Sequence, residues 1–272
     1  MIELGIRAHD LGRMSAIDLR KEALQYGFSG IQLVIPKALS DPFDYQSPEK
    51  YRHIFSPLKI MMLGAYFNPV DPDFDKVTLG IHNFKKHLQI AKGLGALCVG
   101  SETGSLMGTP WGYVPENHRP ETLARVIDIF HELVLFAEKH DTYVAVEGAY
   151  NHVAYDPQQI KIMLDAIQHP RLRVVVDLFN FLHPGNHQEH LALLDRSLSL
   201  FQEKIIILHL KDYQIENGVI TQVGLGKGLM NYPSIISRIK RKLPHVHLIF
   251  EGVKGDDIAS SFQYISQLIN KE

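Results

Sequence analysis

Four short aliphatic runs each end in a residue that can bind a metal ion. Tyr143-Val144-Ala145-Val146 leads to Glu147, Val174-Val175-Val176 to Asp177, Ile205-Ile206-Ile207-Leu208 to His209, and Leu248-Ile249-Phe250 to Glu251. A charge closing an apolar run is costly unless it is paired. Three carboxylates brought together repel one another unless protonated or neutralised, and a divalent cation neutralises most of that charge. Three carboxylates and one imidazole form an oxygen-rich, mostly hard donor set. One divalent ion is therefore expected, with manganese, magnesium or cobalt favoured and zinc also compatible. Such an ion, bound to a carbonyl and the adjacent hydroxyl, acts as a Lewis acid. It acidifies the carbon-bound proton between them and stabilises the developing enediolate, and a nearby carboxylate can move that proton. Asp177 alone could be a helix cap and His209 alone a satisfied core residue. Four successive runs with this ending are what carry the chemical reading.

For the four to meet, the runs must be neighbouring strands. Strands are expected near Glu3–Ala8, Gly30–Ile35, Lys59–Ala65, Ala96–Gly100, Tyr143–Glu147, Arg173–Asp177, Ile205–His209 and His247–Glu251. Helical periodicity fills the gaps. Ser15 caps a run to Tyr26, and Phe74–Gly93, Pro120–His140, His187–Gln202, Tyr232–Leu243 and Asp256–Ile269 follow the same spacing. Asp156-Pro157 adds an N-cap with proline at the first helical position. Eight βα units with no linker between them predict an α/β fold, a single (β/α)8 TIM barrel over residues 1–272. A doubly wound sheet would favour a glycine-rich phosphate loop after the first strand, and Arg7-Ala8-His9-Asp10-Leu11-Gly12 is not one. In a barrel the strand ends carry the chemistry while alternate residues fill the interior. Ala145, Val175, Ile207 and Ile249 share parity with the four ligands and are expected inside.

Composition removes several function classes. The 28 Lys and Arg against 30 Asp and Glu give a net charge of −2, without the basic excess of a nucleic-acid binder. No apolar run reaches the ~18 residues of a membrane span. Met1-Ile2-Glu3-Leu4-Gly5-Ile6 carries no basic stretch and no small-residue cleavage site. Cys98 is the single cysteine, which excludes an intrachain disulfide and a cysteine-built zinc site and reads as a small core residue. A cytoplasmic location is expected.

Residues 143 to 251 resemble the xylose-isomerase-like sugar (phosphate) isomerase/epimerase superfamily. The resemblance rests on Val144-Ala145-Val146-Glu147, Val174-Val175-Val176-Asp177, Leu208-His209-Leu210-Lys211-Asp212 and Ile249-Phe250-Glu251. Gly226-Lys227-Gly228-Leu229-Met230-Asn231-Tyr232-Pro233 is similar to that family's loop before helix seven, and Gly27-Phe28-Ser29-Gly30-Ile31-Gln32-Leu33 to its second strand. The resemblance implies one divalent metal held by Glu147, Asp177, His209 and Glu251, with Glu147 and Glu251 doubling as proton-transfer groups. Gln32, Asn231 and Asn180 stand where many members carry Glu, Asp and His. These departures fall outside the four metal positions.

Further candidates surround the quartet. Lys211, with the parity of His209, could bind a substrate oxygen or phosphate, and Asp212 could orient a ligand or cap the turn. Arg7 and His9 end strand one with one parity, and Glu102 ends strand four with the parity of Cys98 and Gly100. Trp111 lies in a glycine- and proline-containing loop able to cover a sugar face; His152 and Asn180 lie in the fifth and sixth βα loops. His82, His87, His131 and His140 lie on helical stretches and read as solvated or packing residues.

The expected function is a metal-dependent isomerase or epimerase of a small sugar or polyol. A dehydratase of an inosose or keto-acid on the same site is the nearest alternative. An apurinic-site endonuclease would need a histidine-rich metal cluster and a basic DNA groove, and a non-catalytic sugar-binding barrel would have lost a ligand. Neither a nucleic-acid nor a membrane partner is expected. Helix faces rich in Leu, Ile and Phe could pack between subunits of a homo-oligomer, yet the same faces must cover the barrel.

Overall fold

The computed structural model describes residues 2–271. Its strands are β1 (Glu3–Arg7), β2 (Gly30–Leu33), β3 (Lys59–Gly64), β4 (Val99–Glu102), β5 (Val144–Glu147), β6 (Leu172–Asp177), β7 (Ile205–Leu210), β8 (Asp212–Glu216), β9 (Val219–Val223) and β10 (His247–Phe250). Eight of them form a closed parallel barrel in the order β1-β2-β3-β4-β5-β6-β7-β10, with β10 pairing back to β1. Between and after the barrel strands lie α1 (Ala16–Gln25), α2 (Ile35–Ala38), α3 (Pro48–Phe55), α4 (Phe74–Leu94), α5 (Pro120–Lys139), α6 (Pro157–Ile167), α7 (His190–Phe201), α8 (Tyr232–Lys242) and α9 (Asp257–Asn270). The architecture is the (β/α)8 barrel that the strand spacing predicts. Among the described residues no helix is long and apolar enough to cross a membrane.

Local chemistry sets the helix starts. Ser15, Asp73, Asp156 and Asn231 each accept a backbone N–H of the first turn, and Pro157 occupies the opening of α6. Gly95 closes α4 in the left-handed conformation at φ 75°.

Three stretches depart from the expected elements. The fourth strand runs Val99–Glu102 rather than Ala96–Gly100, because Ala96 N–H still bonds Ala91 at the end of α4. The helices α2 and α3 occupy a segment that has no sustained periodicity. The hairpin β8–β9 turns at Asn217 (φ 53°) and Gly218 (φ 77°), both in the left-handed region that a tight primed turn needs.

Side chains divide cleanly between two cores. Val144, Val146, Val174, Val176, Leu208, Leu248 and Phe250 face the helices in one large cluster. Ala145, Val175, Ile207 and Ile249 lie inside the barrel with Met61, Met62 and Cys98. Two consecutive methionines reach the interior because the β2–β3 register slips there: Ile31 faces Ile60, but Gln32 faces Met62. Glycines make room for them. A Cβ on Gly5 would stand 2.6 Å from Met61 Sδ and 2.9 Å from the Gly30 carbonyl oxygen. Gly5→Val should therefore overpack the barrel and destabilise the protein by about 1–3 kcal/mol in chemical denaturation. The added Met61→Ala change should recover part of the loss, since Met61 Sδ is the nearer obstacle; no recovery would place the strain in the β1–β2 backbone.

Candidate metal centre

Barrel register, set by which face each strand buries, delivers the four ligands to one level. Asp177 on β6 is the direct partner of His209 on β7, and His209 is the partner of Ile249 on β10, two residues before Glu251. Glu102 on β4 pairs with Glu147 on β5. One donor atom from each of Glu147, Asp177, His209 and Glu251 lies within 4.8 Å of the other three, and all four residues are buried. His209 Nδ1 stands 3.1 Å from Glu147 Oε1, 2.9 Å from Glu251 Oε2 and 3.7 Å from Asp177 Oδ2.

The donor set fits a divalent ion. Three hard oxygens and one imidazole nitrogen suit magnesium, manganese, cobalt or zinc, whose ligand atoms lie about 3–4 Å apart around the ion. Buried atoms Asp177 Oδ2 and Glu251 Oε2 accept no well-directed hydrogen bond from the described residues and are met only by ion contacts. Burial alone would lower the His209 pKa, yet Glu147 and Glu251 outweigh it and push it up to about 10. The cage attracts positive charge strongly enough to hold a proton where a metal ligand must have none.

The charges are held unequally. Glu251 Oε1 receives both Arg7 Nη1 at 2.8 Å and Lys211 Nζ at 2.9 Å. Arg7 is itself gripped by Asp10, which also accepts the Gly252 N–H. Although burial opposes it, Lys211, His209 and Arg7 together hold Glu251 well below the usual carboxylate range. Glu147 has weaker support. Its Oε1 accepts from Asn180 Nδ2 at 2.9 Å, while the Tyr66 hydroxyl is 3.5 Å from Oε2. Burial raises the Glu147 pKa.

The other predicted positions divide between the cage and its approach. Arg7, Lys211 and Asn180 enter the cage as partners of its carboxylates, with Lys211 Nζ also 2.8 Å from Asp177 Oδ2 and 3.0 Å from Asn180 Oδ1. Asp212 touches no ligand. It accepts the backbone N–H groups of Tyr213, Gly226, Gly228 and Met230 and so ties down the glycine loop before α8. His9, Glu102 and Trp111 line a cavity of about 620 Å³ that opens beside Glu251. Burial and the neighbouring Arg7 push His9 down to about 4, so it is neutral; burial and Glu147 push Glu102 up to about 8. His152 packs edge-on against Trp111, with ring centroids 5.7 Å apart. The loop around Trp111 is folded rather than free: Asn117 bridges Ser105, Gly112 and Asn151.

Tyr66 was not among the sequence candidates, and Gln32 stood there only as a departure from the family pattern. Gln32 Nε2 donates to the Tyr66 oxygen at 2.7 Å, which leaves the phenol proton to point toward Glu147 and the cavity. Burial and the surrounding carboxylates hold Tyr66 well above its ordinary pKa, so it is a donor and not a base. Its signal in the sequence is only a tyrosine just beyond a strand.

A family model described as xylose isomerase-like TIM barrel matches residues 20–267. No curated protein matches the chain in sequence. Among solved structures, the IOLI protein with a bound zinc atom aligns with TM-score 0.74 at 20% identity over 98% of this chain and 96% of its own. The E. coli 3-keto-D-glucoside 4-epimerase YcjR gives 0.70 at 13% identity over 98% of both chains. The probable 3-DHS dehydratase AsbF of Bacillus anthracis gives 0.69 at 15% identity over 99% of both. At these identities the likeness is one of fold.

The raised His209 pKa fixes the sign of a pH effect. Below about 10 the imidazole carries a proton that an incoming ion must displace. Manganese uptake should therefore release at least one proton, and its affinity should rise roughly tenfold per pH unit from pH 6 to 9. Calorimetry in buffers of differing ionisation enthalpy measures both; a pH-independent affinity would show that His209 is already neutral.

Proposed function

The chain belongs to the xylose isomerase-like TIM-barrel family, and from that premise we propose that it is a divalent-metal-dependent isomerase or epimerase of a sugar or polyol. The observation that carries the reading is the convergence of Glu147, Asp177, His209 and Glu251 within 4.8 Å at the mouth of the barrel. A divalent ion held by these four would polarise the substrate carbonyl and offset the charge that develops on it.

The side chains of this protein supply the rest. Glu147, with one oxygen facing only a distant phenol, is the carboxylate best placed to take the carbon-bound proton, and its raised pKa brings it toward the range where a base works efficiently. Tyr66, its lone pair taken by Gln32, donates its proton to the substrate oxygen next to that carbon. Glu251 comes from β10, three strands around from β5, and faces the other side of the substrate. As a second proton-transfer group it gives the two-face access that epimerisation requires. Glu102, His9 and Trp111 contact the substrate along the cavity, and His152 supports the tryptophan.

One observation favours a dehydratase of an inosose or keto-acid as the second reading. Arg7 and Lys211 both bind Glu251 Oε1, which ties that carboxylate down and leaves Glu147 as the freer base. Glu102, pushed up to about 8, could then protonate a departing hydroxyl.

The two readings separate by experiment. Metal analysis of the purified protein comes first, then NMR of solvent deuterium entering a panel of ketoses, hydroxypyruvate and inososes. Deuterium entry without loss of water is the expected result; loss of water would establish the dehydratase. Glu147→Gln should abolish turnover and also lower metal content, because one carboxylate serves both roles, and full activity in that variant would overturn the assignment. Tyr66→Phe should lower kcat about 10- to 100-fold with metal content unchanged. Loss of metal together with activity would make Tyr66 a support of the cage instead.

A further inference from the structure

The cavity beside Glu251 extends well beyond the metal centre. It passes the end of β2 and reaches α4, where Asn83 and His87 line its far end. At about 620 Å³ it lies within the range of pockets that enclose ligands of two rings, and one sugar ring at Glu147 and Glu251 would leave the far lobe empty.

That lobe is built. Val34, Pro36 and Phe67 give it apolar walls. Phe67 lies against α4 only because position 80 is glycine: a Cβ there would stand 2.7 Å from Phe67 Cβ. Glycine inside a helix costs about 1 kcal/mol relative to alanine, so the close approach is kept against a local penalty. Tyr45, a further wall, is fixed between the Lys86 ammonium, 3.7 Å from its ring centroid, and the edge of His87 at 6.1 Å.

His87 is the polar end of the lobe. It is only 9% exposed, and its Nδ1 donates to the Asn83 carbonyl at 2.7 Å. That bond fixes the tautomer and leaves Nε2 as a bare acceptor. Among the described residues nothing donates to Nε2. Burial lowers the His87 pKa, so the ring stays neutral at physiological pH. A neutral acceptor at that end matches a hydroxyl donor and offers no hydrogen bond to a phosphate or carboxylate oxygen.

We propose that this far lobe is a second sugar subsite, in which a hydroxylated ring carried on the substrate packs against Tyr45 and Phe67 and donates a hydroxyl to His87 Nε2. The substrate is then a glycoside rather than a free monosaccharide. The inference rests on the proposed function for the identity of the reacting ring, but the subsite itself binds without turnover.

The test is calorimetric binding to the metal-loaded, full-length protein. The ligands are glucose, fructose, glucose 6-phosphate and the disaccharides cellobiose, maltose, trehalose and sucrose. At least one disaccharide should bind ten or more times more tightly than either monosaccharide. His87→Phe and Tyr45→Ala should each bring its Kd to within about twofold of the monosaccharide values, and His87→Gln, which keeps an acceptor, should retain part of the gain. Tyr45 is only half-buried, so its variant reports on the lobe even if the His87 changes impair folding. Disaccharides no tighter than monosaccharides, or an advantage that survives both substitutions, would overturn the subsite. Tighter binding of glucose 6-phosphate than of any disaccharide would overturn it too, assigning the lobe to an anion through Lys37 at its rim. Deuterium exchange into free ketoses without a disaccharide advantage would sink the subsite and leave the reaction standing. His87-dependent disaccharide binding without exchange into any sugar would do the reverse.

Discussion

Three carboxylates buried side by side at the mouth of a barrel cannot stand without positive charge among them. Burial and mutual repulsion both push such groups toward the neutral form, and here the protein answers with Arg7, Lys211 and a His209 whose pKa is driven to about 10. None of these cations saturates the cluster, since Asp177 Oδ2 and Glu251 Oε2 still lack a directed donor. With His209 neutral, as a metal ligand must be, the three carboxylates outnumber Arg7 and Lys211 by one, a built-in demand for a cation that the surrounding structure keeps in place. Asp10 braces Arg7, Asn180 links Glu147 to Lys211, and Asp212 anchors the loop that follows.

The barrel makes this crowding possible through parity and stagger. Each ligand shares its strand face with a small or branched interior residue, so the residues that fill the barrel and those that crown it are fixed by one alternation. A slip of one residue in β5 or β6 would turn Glu147 or Asp177 into the helix-facing core, where no cation waits. Two irregularities interrupt the register: one between β6 and β7 at Val174/Val175, below the Asp177–His209 pair, and one on the opposite side of the ring, between β2 and β3. The β2–β3 slip is the one that reaches the glycines. It spends an extra residue, Met61, on filling the interior where Gly5 and Gly30 leave space.

That alternation is why the quartet and the barrel were legible in the sequence. A period of two, a hydrophobic run and a terminal polar residue are all local, and four repeats of the pattern point to one site. The hairpin was missed, although Asn217-Gly218 is a turn signal between Ile215-Glu216 and Val219-Ile220. Its strands follow the apolar run of β7 so closely that they read as the loop after it. Tyr66, Gln32 and His87 were not legible, because their roles depend on what stands across the ring. A tyrosine beyond a strand says nothing until Gln32 is found behind its oxygen and Glu147 before it. His87 shares its helical stretch with other histidines, and only the path of the cavity distinguishes it.

Arg7 and Lys211 show why site roles resist being read from residue type alone. Both are cations that sequence reasoning can aim at a substrate oxygen, and both here spend their charge on Glu251 Oε1. Their charge is thus already engaged by the cage. By holding Glu251 as an anion they make it the more firmly held of the two glutamates, while Glu147, its pKa raised by burial, stands beside Tyr66. An arrangement of two equivalent glutamates would hand a proton to either face with equal ease. Here the two are unequal, with the firmly held charge on the β10 side and the carboxylate of raised pKa on the β5 side.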